Sequence, residues 1–141
     1  MSNLSAFLSQ NAIKVENVKY VASKRFIQDG QPIEWEICSI TPEEDESLRK
    51  ANTRKVPVPG KRNHFVPEID YNAYLGKLAA RCTVFPNLDD AELQNSYGVM
   101  GADSLLKVML TPGEYADYLS KVQGVNGFET SLEEAVDEAK N

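Results

Sequence analysis

Hydrophobic and polar residues change their spacing several times along the chain, and each change marks an element. Leu4, Phe7 and Leu8 have helical spacing, so a short amphipathic helix is predicted there, capped by Ser2 or Asn3. Val18, Tyr20 and Ala22 then alternate with polar neighbours. Ile33, Trp35 and Ile37 alternate in the same way with Glu34, Glu36 and Cys38. Asp29-Gly30 lies between the two runs, which makes them the arms of a β-hairpin with one apolar face. A lone hairpin is barely stable in water, so that face has to pack on helices or on strands of another copy. An exposed hairpin edge also invites pairing between copies, so possible partners include a second copy of the chain.

Thr41 opens a helix with a capping-box pattern: Pro42 suits its first position, Glu44 stands three residues after the cap, and Arg49 and Lys50 suit its last turn. Residues 53–67 carry three prolines, a glycine and the cations Arg54, Lys55, Lys61 and Arg62, with Phe65 nearby, and read as a mobile basic loop. From Asp70 onward the spacing is helical. Tyr71, Tyr74, Leu75, Leu78, Ala79 and Cys82 form one stripe in a helix read over 70–84, which Phe85-Pro86 interrupts. A helix from Asp89 or Asp90 ends at Gly98, and another runs through Leu105, Leu106, Met109 and Leu110. Thr111, Pro112 and Glu114 repeat the capping device; Tyr115, Tyr118, Leu119 and Val122 make the buried face, and Gly124 ends the helix. A short acidic helix with Leu132, Ala135, Val136 and Ala139 completes the pattern.

The predicted fold is therefore α+β, an N-terminal β-hairpin packed on a mainly α-helical C-terminal part. It forms a single domain over 1–141: hairpin and capped helix 15–52, mobile basic loop 53–67, helical part 68–141. A chain of 141 residues can bury a core without metals or disulfides. No apolar run is long enough for a membrane span, and the first twenty residues lack the basic leader and apolar block of a signal peptide. Cys38 and Cys82 then read as reduced core residues of a cytoplasmic protein. The net charge of −6 is uneven: ten cations and eight acids in 1–66 give +2, five and thirteen in 67–141 give −8. An acidic C-terminal half repels a phosphate backbone, so neither nucleic acid nor membrane is expected as a partner.

Candidate chemistry changes this picture little. The acids Glu43, Glu44, Asp45 and Glu46 lack the glycine and alternation of a calcium loop. Cys38, Cys82 and the single histidine, His64, lack the paired spacing of a zinc site, and no regular element is expected to fix His64 as a catalytic base. Gly98-Val99-Met100-Gly101 has neither the third glycine of a dinucleotide fingerprint nor the Lys-Ser/Thr of a Walker loop, and its acidic setting is wrong for the backbone clamp of a KH domain. Ser104, at a helix start in an acidic region, is placed like the phosphopantetheine-bearing serine of an acyl carrier protein. Helix starts also favour Asp and Ser for capping alone. No catalytic, cofactor-binding or metal residue is assigned, and the partner-binding residues stay unassigned.

Whole segments carry a further resemblance: "KYVASKRF", "PIEWEICSITPEEDESLRK", "KVPVPGKRN" and "YLGKLAARCTVFPNLDDAELQNSYGVMGADSLLKVMLTPGEYADYLSKVQ". Over roughly 15–123 the chain closely resembles the XkdN-like tail assembly chaperones of bacteriophages and prophages. The resemblance implies transient binding of the tape-measure protein, the apolar helical rod that sets tail length, with no enzyme activity and no cofactor. It also implies that a minus-one frameshift extends part of the product, for which Ala139-Lys140-Asn141 allows a slippery A AAA AAC. An acyl-carrier-like protein modified on Ser104 and a structural tail component are the alternatives.

Overall fold

The computed structural model describes residues 3–128. A 3-10 turn (Asn3–Phe7) precedes β1 (Val18–Tyr20), β2 (Ile27–Gln28), β3 (Gln31–Pro32) and β4 (Trp35–Ile37). Helix α1 (Pro42–Ala51) leads into β5 (Thr53–Pro57) and β6 (Phe65–Ile69), then α2 (Tyr71–Cys82) and β7 (Thr83–Phe85). Helices α3 (Ala91–Ser96), α4 (Ala102–Met109) and α5 (Pro112–Val125) complete the described chain. The fold is α+β. The acidic helix read beyond Phe128 lies outside the described residues.

The N-terminal hairpin forms as the alternation requires. Antiparallel β1 and β4 pair Val18 with Ile37 and Tyr20 with Trp35. Beyond them the strands close through β2 and β3, where Asp29 and Gly30 both take the positive φ of a two-residue hairpin turn. Trp35 and Ile37 are buried and Glu36 is half-buried, so the apolar face of β4 points inward. There it meets α2, α4 and α5, whose Tyr74, Leu78, Ala79, Cys82, Leu105, Leu106, Met109, Tyr118 and Val122 fill one core. The Trp35 ring stands edge-on to Tyr118 at 5.2 Å between centroids.

The sheet has a third strand that periodicity did not reveal. Helix α2 stops at Cys82 rather than running to Val84, and Thr83–Phe85 pairs antiparallel with β4, giving the order β1-β4-β7. The β-branched pair Thr83-Val84 favours extended backbone, as does the position of Phe85 before Pro86, and Cys82, the last residue of the helix, is buried. The Phe85-Pro86 bond is cis.

Residues 53–67 also differ from the expected loop. Strands β5 and β6 pair in register from Thr53 opposite Ile69 to Pro57 opposite Phe65, leaving only the turn between them unpaired. Prolines 57 and 67 are compatible with this because a two-stranded ladder has only edge strands, whose outer side needs no N–H. Smaller corrections follow from packing. Tyr71 is exposed and lies edge-on to Tyr74 instead of joining the core stripe. Gly124 lies inside α5, which ends at Asn126 as its cap. Leu4, Phe7 and Leu8 belong to a 3-10 turn and its flank, and all three are exposed.

Candidate partner-binding surface

The caps place the helices that frame the surface. Thr111 and Glu114 form a complete reciprocal box at α5, and Asp90 accepts from the Leu93 N–H at 2.9 Å to start α3. At α1 the box is only half formed. Thr41 accepts from the Glu44 N–H, but the Glu44 carboxylate turns to Arg81 of α2 at 2.7 Å. The expected cap partner is thereby used to tie two helices together. Gly101, with φ +100, begins α4 where a side chain would be strained.

Where β4, β7, α3 and α4 converge, an apolar cavity of about 180 Å³ opens. Phe26, Ile33, Trp35, Phe85, Pro86, Leu93 and Met109 line it, and none of its exposed lining is polar. Trp35 and Met109 are buried within it, while Phe85, 52% exposed, is its lip. Phe26 and Trp35 lie tilted at 6.2 Å, and the Arg25 guanidinium sits over Phe26 while donating to the Met109 carbonyl. The nearby start of α3 carries exposed Asp89, Asp90 and Glu92. Metabolite sites usually measure about 300–1,000 Å³ and hold convergent polar groups. This cleft is smaller, and its exposed lining is wholly apolar.

The residues singled out for chemistry do not converge. Among the described residues no group of three His, Cys, Asp or Glu side chains is placed to hold a metal ion. His64 stands at the β5–β6 turn, where its carbonyl accepts from the Val58 N–H. Cys82 is buried and Cys38 half-buried; both are free thiols. Burial pushes the Cys82 thiol up to about 11, against a smaller opposing effect of the Asn126 amide, so it is a poor nucleophile. Ser104 is half-buried in the first turn of α4, and its neighbour Asp103 pairs with Lys77 at 3.3 Å. Sequence reasoning passed over Phe85-Pro86 as a mere break. The β-branched pair before it was the available signal for a strand ending in an exposed aromatic.

Known proteins are similar to this chain in sequence and in fold. A sequence model of the phage XkdN-like tail assembly chaperone proteins matches residues 4–140. The phage-like element PBSX protein XkdN of Bacillus subtilis (strain 168) is 33% identical over 99% of this chain and 94% of its own length. The uncharacterized protein YqbN of the same strain is 33% identical over 99% of this chain and 93% of its own. A crystal structure of the protein YqbN superposes with a TM-score of 0.76 at 28% identity, covering 91% of this chain and 98% of that one.

Proposed function

The chain belongs to the phage XkdN-like tail assembly chaperone family, and we propose from that premise that it holds the tape-measure protein soluble until tube subunits polymerise around it. The family match over residues 4–140 carries this reading. The apolar cleft supports it physically, because an amphipathic helix docks by setting spaced apolar anchors into such a recess. Asp89, Asp90 and Glu92 favour partner helices that place Lys or Arg beside the anchor. The role is binding without catalysis, in the cytoplasm of the bacterial host, and it needs no cofactor. No helix among the described residues is long and apolar enough to cross a membrane.

Co-expression with the tape-measure protein of the same gene cluster tests the reading. The tape-measure protein should stay soluble and co-purify with the tagged wild-type chain. Phe85→Asp, at the half-exposed lip of the cleft, should reduce co-purification at least tenfold while leaving the melting curve cooperative. A tape-measure protein that is equally insoluble with and without the chain sinks the proposal. Presence of the chain in finished particles would instead identify a structural tail component. A mass increase of one phosphopantetheine arm on Ser104 would identify a carrier.

A further inference from the structure

The β5–β6 hairpin is an unusual use of sequence. Its strands pair with each other and, among the described residues, with no other strand. Apart from Val56 and Val58, every residue from 53 to 68 is exposed, including Phe65 and Val66. A two-stranded ribbon with both faces in water is marginal on its own, so the arrangement favours an external surface that covers it. The hairpin is also the cationic part of an acidic protein. Residues 53–69 hold Arg54, Lys55, Lys61 and Arg62 against Glu68, a net of +3, which leaves −9 for the rest of the chain's total of −6.

A complementary surface lies between α1 and α2. There Glu43, Glu44, Ser47, Leu48 and Arg81 line a groove of about 370 Å³. Arg81 is occupied by Glu44 at 2.7 Å. The ion pairs among the described residues use neither Glu43, in the groove, nor Glu46, which stands one helical turn on and outside its lining. Leu48 adds an apolar patch to this acidic wall. Lys and Arg suit such a surface, because their stems cover the apolar patch while their heads reach the acids. No arm residue lines the groove of its own chain.

We infer that the β5–β6 arm is a self-association element, seated in the α1–α2 groove of a second copy of this chain. The arm's net of +3 faces Glu43 in the groove and Glu46 beside it, and Phe65, whose side chain points to the opposite face of the ribbon from Val66, lies against Leu48. Two copies of net charge −6 repel at long range, but a Debye length of about 8 Å at physiological salt confines that repulsion and lets the local contact decide. Nucleic acid is the poorer occupant, since a polyanion on the arm would face the acidic remainder of the same molecule.

The test uses the purified chain alone, so failure of tape-measure binding does not bear on it. Sedimentation equilibrium at 0.15 M salt should show wild-type self-association. Lys61→Glu with Arg62→Glu should weaken it at least tenfold, and so should Glu43→Lys with Glu46→Lys. An equimolar mixture of the two variants should re-associate, because the reversed arm now fits the reversed groove. Unchanged melting curves check that both variants fold. A monomeric wild type, association indifferent to either pair, or a mixture that fails to recover overturns the inference. So does an arm-dependent shift of DNA or RNA without self-association.

Discussion

Tyr115 shows what a single atom can decide. Its hydroxyl is buried without a hydrogen-bond partner among the described residues. Burial, followed by the nearby Asp103 charge, holds its ionisation above the ordinary tyrosine range. An unsatisfied buried hydroxyl costs about 1–3 kcal/mol, so Tyr115→Phe should stabilise the fold by about 1 kcal/mol, read as a raised Tm. The same oxygen lies 3.0 Å from where a Cβ on Gly76 would stand. Gly76→Ala, ordinarily worth about 1 kcal/mol inside a helix, should therefore gain more in the Tyr115→Phe background than alone. Equal effects in a double-mutant cycle would show that the two helices adjust freely. Neither residue was distinctive in sequence: Gly76 was one more position of a predicted helix, and Tyr115 simply part of its stripe.

At the scale of elements, the two threonine caps differ in a measurable way. Thr111 and Glu114 satisfy each other's backbone donors, and those hydrogen bonds hold the Glu114 carboxyl below its ordinary range. Thr41 receives no reciprocal bond from Glu44, which is bound to Arg81. Thr111→Ala and Thr41→Ala should each cost about 1 kcal/mol of unfolding free energy. Glu44→Ala should add little, since a surface ion pair is worth about 0–1 kcal/mol. Urea titration of the three variants checks the order; a Glu44 effect larger than either cap would overturn it. Helix starts were legible because capping is local, with Thr41, Asp70, Asp90 and Thr111 each accepting from an N–H three residues on. Strands were less legible, because β7 needs β4 beside it and the paired arm was masked by its prolines.

Across the whole molecule, the buried titratable groups give a direction to pH dependence. Cys82 is pushed up from 9.0 to about 11 mainly by burial, and burial likewise raises Tyr118 and Tyr74 above the usual value of 10. A raised folded-state value means that the native state keeps protons which the unfolded chain releases. The contribution is complete below pH 9 and is lost as pH rises through about 11. Denaturation midpoints should therefore fall between pH 9 and 11, and Cys82→Ala should flatten part of that fall. Native Cys82 should also resist a thiol reagent at pH 8 until the protein unfolds; prompt labelling would contradict its placement.

The sequence by itself determined the α+β class, the Asp-Gly hairpin, the threonine- and aspartate-led helix starts, most of the core stripe and the family. Each of these is written in neighbours a few residues apart or in whole-segment wording. It did not determine the third strand, the pairing of the arm, or which apolar residues remain in contact with water. The cleft at Phe85 assembles side chains from residue 26 to residue 109, and the α1–α2 groove joins Glu43 to Arg81. Tertiary structure decided those because burial and charge pairing depend on distance in space, and local periodicity records only which way a side chain faces along its own element.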